Sequence, residues 1–441
     1  MCQRFNQKHA TIPLMPEKSP SSLPIYKANT ILIIPFSELG TKSEASRKKM
    51  MDQLLTNIKH VLKNVFLVEW VKFRVLDERL VFSFKEEDIP KALNALQHVP
   101  GIMRMHPCAE IQTRIASIEK KVREIASRGY KIDPEHTEIR ALYFKDKVQK
   151  TNIIEQTRNS IAAIAKEVPS SMQVPGTFMI EIHPDFSYIS ASQQDGLNGH
   201  PVGTQNPIIA EILGRPGDLL ASLLVIKRGI VITPVFFSIG GLAIDQAVYT
   251  GFLQHAKHTI ELFHGFPVKK FFFVPLGKVL SIFSELNADA MKNHPCSCCI
   301  LARRLIMDHI MTELKMARFI VQGTSPVPTG EKILSCPVEK QLNDSLNVSS
   351  SFLLNPLISG GDSIPKIFVP YLDKAHAIIP NTRWYTWDFC KLRSGEADLA
   401  MDPAQLEVII ELLKTKILNE SAKFIHLITD NDNFVNLLQE K

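Results

Sequence analysis

Three of the chain's seven cysteines crowd into four residues, Cys296-Ser297-Cys298-Cys299. An odd number of thiols so distributed makes a poor disulfide framework and a better signal for metal binding or sulfur chemistry. Two glycine-bearing stretches could in turn hold an anion. One is Ser359-Gly-Gly-Asp-Ser363; the other is Leu213-Gly214-Arg215-Pro216-Gly217-Asp218.

A phosphate-gripping loop works because consecutive backbone N–H groups, freed by glycine, point at the anion beside a helix N-terminus. It needs a strand before it and a helix after it. Ser359–Ser363 lacks both: Asn355-Pro356 interrupts the preceding apolar run, and Pro365 and Pro370 break any long following helix. Only 78 residues follow Ser363, too few for a nucleotide domain of roughly 150. The ATP pyrophosphatase loop also has one residue between Gly-Gly and Asp-Ser, which is missing here. A glycine turn is the better reading. The stretch "IIAEILGRPGDLLASLLVIKRGIVITPVFF" has the required order of strand, turn, helix and strand. Asp218 is a good N-cap for its helix, and Lys227-Arg228-Gly229 ends that helix.

The elements that must position these residues follow from composition and periodicity. At 441 residues, 45% hydrophobic and 22% charged, the chain is globular and long enough for two to four domains. A net charge of +6 permits a polyanionic partner without requiring one. No apolar run is long enough to span a membrane, and residues 1 to 28 read as a flexible lead-in without a signal core, which predicts a cytoplasmic protein. "NTILIIPF" predicts a buried strand and "SEASRKKMMDQLLTNIKHVLKNV" a basic helix. "FRVLDERLVFSF" predicts one edge strand and "EDIPKALNALQHV" an amphipathic helix, giving a small α+β sandwich over 29–107. The pattern continues through 108–200 and ends in "DGLNGHPVGTQNP", a predicted boundary loop. From 201 to 441, strands alternate with helices, predicting a doubly wound, mostly parallel α/β sheet whose ligands bind beyond the carboxyl ends of its strands.

Four stretches in this order, "ILIIPFSELGTKSEASRKKMMDQLLTNI", "GHPVGTQNPIIAEIL…VIKRGIVITPVFF", "CSCCILARRLIMDHI…ARFIVQGTS" and "NPLISGGDSIPKI", resemble the tRNA 4-thiouridine synthetases, or tRNA sulfurtransferases. The similarity covers most of residues 30 to 395, and with no rhodanese domain following it the chain looks like the short, archaeal-type members. The resemblance implies a ferredoxin-like N-terminal domain (29–107), a THUMP RNA-binding domain (108–200) and a PP-loop ATP pyrophosphatase-like domain (201–441). It also implies an activity: a tRNA uridine is adenylated with ATP and magnesium, and sulfur then replaces the activated oxygen. Sulfide or a sulfur-donor protein would supply the sulfur, and whether the chain forms a homodimer is left open.

The resemblance assigns residues as well. The pyrophosphate loop falls on Gly214, Arg215, Gly217 and Asp218, with Gly323 and Thr324 bordering the same pocket. Here the motif's serines are gone, Pro216 removes a backbone donor, and Arg215 is free to add a phosphate contact of its own. Short members carry an iron–sulfur cluster on a Cys-x-x-Cys pair and a distant third cysteine, which would be Cys296, Cys299 and Cys390; Asp218 and these three cysteines form the implied catalytic set. The alternatives are a zinc site one ligand short, with His294 as its candidate, or unliganded buried thiols. Cys298 can replace either member of the pair, and Cys108 and Cys336 read as structural. For tRNA contact the resemblance favours Lys42, Arg47, Lys48 and Lys49 in the first helix and Arg140, Lys145, Lys147 and Lys150 after the THUMP strand, although lysine-rich stretches are often just solvated faces. The rival reading is a non-catalytic tRNA-binding paralogue that has lost adenylation; a weaker third is sulfur delivery to another cofactor such as a thiazole.

Overall fold

The computed structural model describes residues 26–76, 78–167, 178–214, 216–238, 270–317, 319–323, 352–354 and 425–428, with isolated positions between 250 and 268 and at 408, 411 and 415. Arg215, Thr324, Cys336, the Ser359–Ser363 stretch and Cys390 lie outside these residues, as does most of the lead-in. The chain divides into two compact units after Val202.

In the first unit β1 (Thr30–Pro35) leads to α1 (Glu44–His60), then β2 (Lys72–Leu76), β3 (Arg79–Ser83), α2 (Ile89–Leu96) and β4 (Ile102–Gln112). There follow α3 (Ile115–Ser127), β5 (Glu138–Ala141), α4 (Lys147–Glu167), β6 (Met179–Ile182), β7 (Phe186–Ser190) and the short β8 (Gln194–Asp195). One sheet runs β2-β3-β1-β4-β7-β6-β5, with β8 pairing to β4. Strand β1 is buried along its whole length because it lies inside this sheet with apolar residues on both sides. Ile31 and Ile33 join the larger core with Leu54, Ile58 and Phe82, whereas Leu32 joins a small cluster with Val81, Cys108, Met179 and Tyr188.

Two expectations change here. "FRVLDERLVFSF" is a hairpin rather than one strand: β2 and β3 pair antiparallel with Lys72 opposite Ser83, and Glu78 lies in the turn. Charged residues at 77–79 punctuate the run; β3 is wholly buried while β2 is the exposed edge. Strand β4, absent from the periodicity reading, spans the expected 107/108 boundary. Its early residues pair with β1 and its later ones, Ala109 to Gln112, with β7. Pro107 and the mixed polarity of "RMHPCAEIQ" hid it, since a proline and buried polar groups both argue against a central strand.

The buried polar groups of this sheet form one ionic cluster. Arg79 Nε donates to Glu181 Oε2 at 3.2 Å, and His183 Nε2 lies 2.9 Å from Glu181 Oε1. Burial pushes the Glu181 carboxyl up, but His183 and Arg79 outweigh it and hold it below the usual carboxylate range. Burial pushes His106 down to about 4, with Glu138 and Glu181 opposing. Both shifts have the same sign for stability: the unfolded chain binds protons more readily than the folded one. The first unit is therefore expected to lose stability as pH falls below about 6.5, where an unfolded histidine protonates, and further as it falls through the carboxylate range. Urea unfolding midpoints at pH 7 and pH 5 check this, and His106→Asn should flatten the upper part of the profile.

In the second unit β9 (His200–Ile212) leads to α5 (Pro216–Lys227), β10 (Arg228–Ser238) and β11 (Phe271–Pro275). Then come α6 (Leu276–Leu286), α7 (Ala288–Asn293), α8 (Pro295–Glu313), β12 (Phe319–Val321), β13 (Phe352–Leu354) and β14 (His426–Ile428). The sheet order is β13-β12-β9-β10-β11-β14. Strand β12 is parallel to both β9 and β13, β10 is parallel to β11, and β14 runs antiparallel to β11 at the edge. This is a doubly wound sheet. Residues 200–207, expected as part of a loop, instead form the first half of β9.

Candidate functional site

A chain that starts at a central strand, adds strands to one side and then returns to add them to the other leaves a crevice at the carboxyl ends of the two strands where it reverses. Here those strands are β9 and β12, neighbours in the sheet. The loop after β9 and the residues after β12 are Leu213–Asp218 and Gln322-Gly323. Local chemistry dictates the loop: the apolar strand stops at Gly214, which takes a left-handed φ of 88°, and α5 opens on Pro216, favoured in a first turn. Asp218 closes it. Its buried carboxylate accepts the Leu213 backbone N–H at 2.8 Å, so the loop is held by its own acid.

The two loops touch. A Cβ built on Gly323 would stand 2.1 Å from the Asp218 backbone nitrogen and 2.3 Å from the Gly217 carbonyl carbon. Only glycine allows this approach. Gly214, Gly217, Asp218 and Gly323 are thus gathered at the switch point, next to the N-terminal end of α5, where backbone N–H groups and the helix dipole favour an anion.

Helix α8 begins at Pro295, so positions 296 and 299 are one helical turn apart on one face at its N-terminal end. That end favours thiolates over thiols. Cys299 belongs to the core cluster that also contains Leu213 and Ile209, which brings the cysteine helix to the same region as the loop. Cys298 is fully buried, and its Sγ donates to the Ala290 carbonyl of α7 at 3.7 Å. For a thiolate-held iron–sulfur cluster, the described chain thus offers Cys299 and the backbone position of Cys296, a spacing that fits two ligands of such a group. Among the described residues no group of three or more His, Cys, Asp or Glu stands close enough to hold a metal ion.

Sequence reasoning missed three residues of this region. Glu211 of β9, Arg303 of α8 and Gln322 after β12 are all about 1% exposed. Arg303 Nη1 donates to Glu211 Oε1, and Gln322 Nε2 donates to Glu211 Oε2 at 2.8 Å. A signal existed: a lone acid in "IIAEIL" and an arginine pair in "ILARRLIM" interrupt otherwise apolar elements, and charges are almost never fully buried unless paired.

The basic residues lie in the first unit. Lys42, Lys48 and Lys49 are exposed and Arg47 half-buried; Lys42 precedes α1, and the other three stand near its start. Among the described residues none of them forms an ion pair. The outer side of α1 lines an open groove of about 460 Å³ formed by Ala45, Lys48, Lys49, Asp52, Gln53 and Thr56. Lys145, Lys147 and Lys150 are exposed around the start of α4, where Asp146 caps the helix by accepting the Val148 N–H at 2.8 Å. Arg140, on β5, is already paired with Glu138. Cys108 is buried in the small cluster and donates to the His106 carbonyl at 3.1 Å; burial pushes its thiol up.

Fold and site together define a class: an α/β protein in which a ferredoxin-like unit precedes a doubly wound, mostly parallel sheet with a glycine-lined loop at its switch point. Comparison with known proteins narrows it. Residues 31–105 match the ThiI ferredoxin-like domain. The chain is 23% identical over 341 residues to the "Probable tRNA sulfurtransferase" of Enterococcus faecalis, covering 75% of this chain and 78% of that protein. A second such protein, from Brevibacillus brevis, is 24% identical over 212 residues, covering 47% of this chain and 51% of its own length. In structure the chain is similar to a 4-thiouridine synthetase solved with RNA and bound ATP, with a TM-score of 0.64 at 17% identity over 91% of this chain and 99% of that one. It is also similar to a protein from Pyrococcus horikoshii, with a TM-score of 0.50 at 16% identity over 80% of this chain and all of that one. At these identities the structural matches speak for the fold. Among the described residues no helix is long and apolar enough to cross a membrane.

Proposed function

We propose that this chain thiolates tRNA: ATP adenylates a uridine, and sulfide then displaces AMP to leave 4-thiouridine. The observation that carries the proposal is the close approach of Gly323 to the Gly217–Asp218 backbone at the switch point, the place where such a sheet takes its ligand. Similarity to tRNA sulfurtransferases supplies the substrate class. In this reading Gly214, Arg215, Gly217, Gly323 and Thr324 surround the nucleotide phosphates, and Asp218 acts by holding the loop closed. Cys296, Cys299 and Cys390 hold the iron–sulfur cluster, which supplies an iron with an open position for sulfide.

The first unit docks tRNA through Lys42, Arg47, Lys48, Lys145 and Lys147, with Arg140 released from Glu138 or held in reserve by it. Unpaired lysines on the outer side of α1 and around the start of α4 suit phosphate contact, which positions an RNA without reading its sequence. Lys48→Ala/Lys49→Ala should weaken tRNA binding about 10-fold at 0.1 M salt and flatten the salt dependence by between one and two phosphates' worth of slope. Filter binding across a salt series checks this; an unchanged slope contradicts the assignment of α1.

One observation favours the rival reading of a tRNA-binding paralogue without adenylation. Pro216 offers no N–H to the cradle, and the Leu213 N–H is already taken by Asp218. Equilibrium dialysis with ATP and magnesium separates the two: the enzyme reading requires binding, and its absence beside intact tRNA binding selects the paralogue.

A further inference from the structure

The buried Glu211–Arg303–Gln322 group is costly for what it gives in stability. Taking a carboxylate and a guanidinium out of water is expensive, and well-packed apolar side chains of the same volume often serve as well or better. Its arrangement gives something apolar packing lacks. Glu211 uses both carboxylate oxygens, one for α8 and one for the residue after β12, so a single side chain fixes three elements in register.

Each of those elements ends in the candidate site. Glu211 stands two residues before Leu213, where the loop begins. Gln322 immediately precedes Gly323, which packs on Gly217 and Asp218. Arg303 follows Cys299 by four residues and position 296 by seven, the spacing of one helix face. A slip of α8 by one residue would carry that face around by about 100° and along by about 1.5 Å. An error of that size at reacting groups costs on the order of 100-fold in rate.

We infer that Glu211 is a positioning residue that locks the cysteine-bearing face of α8 to the loop after β9. The inference rests on the reading of that loop as the nucleotide site. The informative variant is Glu211→Met/Arg303→Met, which removes both charges and keeps the volume; Arg303→Lys, which keeps the charge and loses the planar fork, is the second. Two measurements on the full chain apply. In hydrogen exchange read by mass spectrometry, peptides covering 211–220 and 295–303 should speed up together in the double variant, with α4 peptides unchanged. In thiouridine formation, kcat should fall 10- to 100-fold with the KM values for ATP and tRNA within about 2-fold, and Arg303→Lys should fall in between. Wild-type exchange in either site peptide of the double variant, or a wild-type kcat, overturns the inference. If the wild-type chain makes no thiouridine, the functional reading fails, and the exchange result still decides the coupling.

Discussion

Gly323→Ala is expected to lower ATP affinity by about 10- to 100-fold, the equivalent of ~1.4–2.8 kcal/mol. The new methyl group would lie 2.1 Å from the Asp218 nitrogen, 2.3 Å from the Gly217 carbonyl carbon and 2.5 Å from the Asp218 Cα. All three are backbone atoms, so no side chain can rotate out of the way. Either the chain after β12 or the loop after β9 must retreat by close to 1 Å, and overpacking of this kind costs about 1–3 kcal/mol in stability as well. Retreat opens the loop that Asp218 closes through Leu213. Gly277→Ala is the matched control. No atom stands within 4 Å of a Cβ there, and the position lies in helix α6, where alanine gains up to ~1 kcal/mol over glycine. Equilibrium dialysis on the two variants checks the prediction; equal ATP affinity in both would remove the Gly323 contact from the site.

The second large effect lies in the other unit. Arg79→Met should destabilise the fold by about 3–5 kcal/mol, because it leaves the Glu181 carboxylate without one of its two ionic partners in a place water does not reach. His183 Nε2 remains 2.9 Å from Glu181 Oε1 and limits the loss. Chemical denaturation of the variant beside the wild-type chain measures this. Replacing the pair together, as Arg79→Met/Glu181→Leu, should recover most of the loss, since packing replaces a charge that no longer needs a partner.

These effects mark how far the sequence could be read. Strands β1, β10 and β11 and helices α1, α5 and α8 were legible because their apolar patterns and punctuation agree, as where Lys227-Arg228-Gly229 ends α5; Asp218, expected as that helix's N-cap, instead lies in its first turn because α5 already opens at Pro216. The strand–turn–helix order around Gly214–Asp218 was legible because glycines, an acid and a following apolar helix stand in sequence there. The β2–β3 hairpin was not, because its turn is made of charged residues and alternation runs straight through it. Strand β4 was hidden by Pro107 and by the buried His106 beside it, both of which argue against a central strand. Glu211 and Arg303 stood out as charges in apolar elements, but their pairing with each other and with Gln322 was illegible. They come from three separate elements, and a pattern within one element does not say which charge another will bury against it. Gly323 entered the reading as a strand-end residue, but the contact that makes glycine obligatory there exists only in three dimensions.

Formation of thiouridine tests the account most directly. The chain, purified without oxygen, is incubated with unmodified tRNA, magnesium, ATP and sulfide, and the tRNA is digested to nucleosides for mass spectrometry. The account predicts 4-thiouridine that depends on ATP and disappears when sulfide is withheld. Retained tRNA binding with no nucleotide binding and no thiouridine would contradict it.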